Sequence, residues 1–185
     1  MTSADHAALD RLVLERSVKR GHFVLASGRT SSFYIDCRPT TMSAEGLVLI
    51  GRLGLEAIRR AGWSPSSVGG LTMGADPVAY AIAAASAAAP PAIDAFTVRK
   101  EAKTHGTGRR VEGNFSAGQR VVVVEDVITT GRSALQATEV IREEGGTVVG
   151  VLAVVDREQG GRAALEAAGL EVVTITTTTR LGLKV

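Results

Sequence analysis

One cysteine, Cys37, stands in 185 residues. A lone thiol excludes an internal disulfide framework and any thiolate-based zinc site, and it fits a reducing compartment, so Cys37 reads as structural. Long hydrophobic runs are also missing: the longest apolar stretch, 78–89, is too short and too rich in alanine to span a bilayer. Near the N-terminus Asp5, His6, Asp10 and Arg11 occupy the place where a signal peptide needs an apolar run, which predicts a cytoplasmic protein. There the sequon Asn114-Phe115-Ser116 would meet no glycosylation machinery. Neither charge sign is in excess, with 21 basic against 19 acidic residues, so no global field argues for nucleic acid. The absence of GxxxxGK[ST] and GxGxxG removes the usual support for a nucleoside triphosphatase or a dinucleotide enzyme.

What is present is ordinary for one globular domain over 1–185: 45% hydrophobic and 22% charged residues, enough for a substantial core. Residues 7–19 have Leu9, Leu12, Val13 and Arg16 at helical spacing, with Gly21 as the stop. Two short strands, 22–25 and 32–36, flank the turn chemistry of 26–30 and predict an antiparallel hairpin able to cover a ligand. In 44–61 the residues Leu47, Ile50, Leu53, Ala57 and Ile58 make one apolar stripe, with Ser43 as N-cap. A brief strand at 68–71 precedes a helix to about residue 88, with Asp76 read as its N-cap and Pro77 in its first turn. Further strands are read at 95–98, 147–155 and 171–176, with a short helix at 160–168. Strands alternating with helices predict an α/β fold with a central, parallel, doubly wound sheet, whose ligands gather outside the strand carboxyl ends.

The chemistry concentrates in 121–133, VVVVEDVITTGRS. Four valines fit a strand buried on both faces, here read as ending in Glu125 and Asp126. Thr129, Thr130, Gly131, Arg132 and Ser133 then lead into a helix over 134–144. A helix N-terminus presents unpaired N–H groups and partial positive charge, which suits a phosphate. The two acids would repel that anion, so they fit neutral hydroxyls or a metal cation. A sugar phosphate satisfies both demands. Residues 99–110 form a long polar stretch with Arg99, Lys100, Lys103, His105, Arg109 and Arg110 and no apolar face. Its composition fits a loop that closes over an anion as well as it fits a solvated charge run.

These motifs carry a resemblance. The run VVVEDVITTG at 122–131 resembles the signature with which type I phosphoribosyltransferases bind phosphoribosyl pyrophosphate (PRPP). Residues 23–36, FVLASGRTSSFYID, resemble the N-terminal hood of the orotate phosphoribosyltransferases, and 98–106, VRKEAKTHG, resemble their catalytic loop. The resemblance implies a helix and hood over 1–40, a mobile catalytic loop over 99–112, and a Mg2+-dependent transfer of the phosphoribosyl group from PRPP to orotate in pyrimidine synthesis. It implies that Glu125 and Asp126 hold the ribose hydroxyls and that 127–133, from Val127 and Ile128 to Ser133, hold the 5-phosphate. Arg99, Lys100, Lys103 and His105 then meet pyrophosphate, with Lys103 and His105 as the catalytic pair. Orotate would lie against Arg157 and Thr129, its edge read by the backbone of Tyr34 and Ile35. Mg2+ would be held mainly through PRPP, with no metal site built by the protein alone. A homodimer sharing the loop between subunits is implied as well.

Arg157 could instead form an ion pair with Asp156 or Glu158, although an arginine fork suits a planar acidic base. Two positions depart from the common pattern: Ala26 replaces a lysine in the hood, and 71–78 lacks a lysine, which makes Arg29 and Arg38 candidates to compensate. A purine or uracil phosphoribosyltransferase would lack the hood and the loop sequence. A PRPP-sensing regulator acting on nucleic acid would need a basic face or an added domain.

Overall fold

The computed structural model describes residues 3–24, 30–101 and 110–183. Helix α1 (Ser3–Arg16) leads into β1 (Val18–Val24) and β2 (Thr30–Ile35), an antiparallel pair that forms its own two-stranded sheet. The expected helix over 7–19 thus starts four residues late and ends three residues late. Residues 18–24 continue as a strand past Gly21, with a shift of register between Arg20 and Phe23, because Val18, Lys19 and Arg20 pair with Ile35, Tyr34 and Phe33. The mostly exposed side chains of β1 gave no alternation to read.

A single turn, α2 (Arg38–Thr41), precedes α3 (Ala44–Arg60), which is capped as expected: the Ser43 hydroxyl accepts the Gly46 N–H at 3.1 Å. Then follow β3 (Ser67–Leu71), α4 (Ala75–Ala88), β4 (Asp94–Val98), β5 (Val111–Gly113), β6 (Arg120–Ile128), α5 (Arg132–Glu143), β7 (Thr147–Asp156), α6 (Gly161–Ala167) and β8 (Val172–Thr177). Six of these strands make one sheet in the order β5-β4-β3-β6-β7-β8, parallel except for β5. Residues 111 and 112, expected inside the loop, belong to β5, where Val98 pairs with Val111 and Thr97 with Glu112.

The valine run of β6 explains the layering. Val122 and Val124 enter the core under α1, α3 and α4, while Val121 and Val123 enter the core under α5 and α6. Alternate side chains of one strand therefore serve two hydrophobic layers, and burial of each valine contributes roughly 1.5–3 kcal/mol. The strand also outlasts the two acids, since Val127 and Ile128 pair with Val155 and Asp156. Order β4-β3-β6 reverses direction between β3 and β6, and such a switch point opens a crevice at the strand carboxyl ends. Among the described residues no helix is long and apolar enough to cross a membrane.

Candidate active site

A cleft of about 440 Å³ lies at that switch point. Its walls are Tyr34 to Arg38 from the end of β2, the turn 71–74 after β3, Lys100 after β4, Glu125 to Val127, Thr129 and Ser133 of β6 and its turn, and Arg157 after β7. A smaller hollow of about 80 Å³ continues from it, lined by Glu125 and residues 127–134. All the described residues singled out in 125–133 and at Tyr34, Ile35, Lys100 and Arg157 line one or both of these spaces.

The smaller hollow is built by a glycine. Gly131 takes φ +78° as the residue before α5, and a Cβ there would stand 2.9 Å from the Gly161 carbonyl oxygen. No side chain caps α5, so its first turn faces the hollow without an internal acceptor. That is the arrangement in which a helix N-terminus takes an anion.

The two acids sit deeper than sequence reasoning placed them. Glu125 is 7% exposed and its Oε1 is buried without a hydrogen-bond partner among the described residues. Burial, and after it the charge of Asp126, push the Glu125 carboxyl up to about 8. Asp126 is also held above the usual carboxylate range by burial, partly offset by the Val127 N–H, which donates to Oδ1 at 2.8 Å. Opposite them the Arg38 guanidinium donates to both carboxylate oxygens of Asp36 at 2.8 Å and 2.8 Å, which holds Asp36 below its ordinary range. Cys37, between them in sequence, is fully buried, and burial pushes its thiol well up, consistent with a structural role.

Arg157 closes the other end. It is 4% exposed, yet Nε and Nη2 have no hydrogen-bond partner among the described residues. Its guanidinium stands over the Phe33 ring at 5.5 Å, while the backbone N–H of Arg157 donates to the Ile128 carbonyl at 3.0 Å. The ion-pair alternative does not hold among the described residues: Asp156 bonds Arg162 at 3.3 Å, and Glu158 accepts from the Thr178 hydroxyl and the Thr179 N–H. A buried, unpaired arginine is costly unless a ligand supplies the counter-charge. Burial accordingly lowers its pKa.

Arg99 Nε is likewise buried without a partner among the described residues, and the Arg99 N–H donates to the Arg110 carbonyl at 2.8 Å, so the two ends of the basic stretch meet. Lys103 and His105, expected as the catalytic pair, lie outside the described residues, as do Ala26 and Arg29. Sequence reasoning missed the parts that brace the cleft. Asp76, expected as an N-cap, instead accepts the Thr72 and Thr97 hydroxyls at 2.7 Å and 2.8 Å, and Gly74 holds the cap position. Only the Thr-rich environment around an acid, spread over three elements, carried that signal.

Residues 44–175 match the phosphoribosyl transferase domain model. The chain is 48% identical over 183 residues to the orotate phosphoribosyltransferase of Mycobacterium tuberculosis (strain H37Rv), covering 99% of each sequence. Its identity to the Aquifex aeolicus orotate phosphoribosyltransferase is 44% over 178 residues, or 95% of this chain and 96% of the relative. The crystal structure of the Mycobacterium tuberculosis orotate phosphoribosyltransferase in complex with PRPP superposes with a TM-score of 0.81 at 46% identity, covering 97% of this chain and 99% of the other. Cleft, hollow and whole-length similarity agree: the chain belongs to the phosphoribosyltransferase family and, within it, to the orotate phosphoribosyltransferases.

Proposed function

We propose that this enzyme transfers the phosphoribosyl group of PRPP to orotate, giving orotidine 5'-monophosphate and pyrophosphate, in pyrimidine synthesis in the cytoplasm. The observation that carries the reading is the joining of two unlike sites in one cleft: an uncapped helix N-terminus beside buried acids at one end, and the unpaired Arg157 at the other.

In this reading the 5-phosphate takes the N–H groups and hydroxyls of Thr129, Thr130, Gly131 and Ser133, with Val127, Ile128 and Arg132 completing the loop. Glu125 and Asp126 accept the ribose hydroxyls, which gives the unpartnered Glu125 Oε1 its donor. Orotate lies between the Tyr34–Ile35 backbone and Thr129, its carboxylate against the Arg157 fork. Its ring nitrogen attacks C1 of the ribose and loses its proton to solvent, and the electron pair of the breaking C1–O bond leaves with pyrophosphate. Arg99, Lys100, Lys103 and His105 meet that growing negative charge, Lys103 and His105 at the reacting centre.

The donors of this site also fit Mg2+ held mainly through the substrate, since the acids come as an adjacent pair in a cleft open to ligand oxygens. When bound, the ion offsets part of the charge on the pyrophosphate oxygens. A homodimer, each loop reaching the other subunit's cleft, completes the proposal.

The test is loss of orotate absorbance on mixing protein with PRPP and Mg2+, beside hypoxanthine, adenine and uracil, repeated with Lys103→Ala. Turnover of orotate alone, lost in the variant, is the expected result. Turnover of another base, or of none, overturns the reading.

A further inference from the structure

Asp76 lies in the first turn of α4, but its carboxylate serves two segments outside that helix. Oδ2 accepts the Thr72 hydroxyl at 2.7 Å and Oδ1 accepts the Thr97 hydroxyl at 2.8 Å. Tyr80, one turn further along α4, has its hydroxyl 3.3 Å from Thr97 Oγ1 and extends the chain of contacts to the surface. Thr72 belongs to the turn that lines the cleft next to Lys100 and Asp126. Thr97 stands two residues before Arg99, where the basic loop begins. A backbone bond runs alongside, the Thr72 N–H donating to the Val98 carbonyl at 2.9 Å.

Asp76 lines neither the cleft nor the hollow, so its carboxylate calls for a role other than direct contact with a ligand. Two hydroxyl donors aimed at one carboxylate supply it. Hydrogen bonds to an ionised acceptor are roughly twice as strong as neutral ones, and a fork of two fixes direction as well as distance. We propose that Asp76 is a positioning residue for the transfer reaction. It ties the cleft turn 72–74 and the root of the basic loop at 99–100 into one unit, so that the groups meeting the pyrophosphate end of PRPP keep a fixed spacing. The proposal rests on the reading of this cleft as the PRPP site. The orotate end, built by β2 and the turn after β7, lies outside this brace.

The experiment is initial-rate kinetics in both directions on the full chain, with direct titration of PRPP and of inorganic pyrophosphate. Asp76→Ala should raise the KM of PRPP and of pyrophosphate by about tenfold while those of orotate and orotidine monophosphate move by less than about twofold. Asp76→Asn, which accepts one hydroxyl and donates its amide to the other, should recover most of the loss. A role confined to stability predicts an equal loss for all four substrates, and that result, or an unchanged PRPP KM, overturns the proposal. Should Asp76→Ala not fold, Thr97→Val cuts one of the two bonds and should give a several-fold rise for PRPP and pyrophosphate alone. Failure of the functional reading is separable: wild-type protein that binds PRPP without turning over orotate leaves the titration of Asp76→Ala against wild type as the test.

Discussion

The Asp126 carboxylate rests against the α-carbon of Gly74: a Cβ added at Gly74 would stand 2.6 Å from Asp126 Oδ1 and 2.9 Å from its Cγ. The turn after β3 thereby meets β6 at the switch point through a glycine and an acid, and the acid's place is set by the missing side chain. Gly74→Ala should push the carboxylate toward the cleft. The atoms met are the free end of a side chain rather than backbone, so the fold should tolerate the change. A displacement near 1 Å at a binding carboxylate is worth about 10²-fold in kcat/KM for PRPP. Kinetics paired with a thermal melt checks this; wild-type PRPP kinetics in the variant would remove Asp126 from the site.

Arg157 sets function against stability. Its guanidinium is buried with Nε and Nη2 unpartnered among the described residues, and burial lowers its pKa. For a base, a lowered folded-state pKa means that the charged form destabilises the fold at every pH below that pKa, which includes neutrality. Arg157→Met should therefore melt at the same temperature or higher. Orotate KM should rise by about 10²-fold or more, because a bidentate charge partner is gone, while PRPP affinity moves by less than about twofold. A variant that melts well below wild type would mean that the guanidinium has a partner in the free protein.

Much of this site was legible because its chemistry is local. The run 121–133 holds a buried strand, an acid pair and a phosphate turn within thirteen consecutive positions, and each has a signature in residue type. Glu125 and Asp126 were nevertheless read as the end of the strand, since charge normally marks the edge of a sheet. Pairing of Val127 and Ile128 with β7 carries the strand past them and buries Glu125, a tertiary effect that no window of sequence contains. The hairpin at 22–36 was legible, but the first residues of β1, 18–21, and all of β5 were not, being held by their partners rather than by apolar alternation. Arg180, after the last strand, bonds Asp10 of α1 at 2.6 Å across 170 positions, a contact that no local window of sequence contains.

Glu125 makes the stability of the ligand-free enzyme depend on pH. Its carboxyl is pushed up to about 8, above the ordinary 4.5, by burial and then by Asp126. Between those values the folded protein holds a proton that the unfolded chain has lost, so stability falls as pH rises, by up to about 1.4 kcal/mol per pH unit from this group. Glu125→Gln cannot ionise. Its melting temperature relative to wild type should climb from about pH 5 to about pH 8 and then level off. A flat difference across that range would place the Glu125 titration elsewhere.

Loop sharing between subunits has a decisive arithmetic. Suppose Lys103→Ala and Arg157→Met are each inactive, the first for want of a loop cation and the second for want of an orotate site. In a dimer of one copy of each, a loop that reaches across delivers an intact Lys103 to the cleft with an intact Arg157, and one of the two sites works. Unfolding and refolding an equal mixture gives half mixed dimers, so recovered activity should be roughly a quarter of wild type if exchange is random. A loop that serves its own cleft gives none, because every chain then carries a fatal change in its only site. Co-expression with two different affinity tags isolates the mixed species and doubles the signal. Turnover near half of wild type in that fraction is the expected outcome, and an inactive mixed dimer would confine the loop to its own subunit.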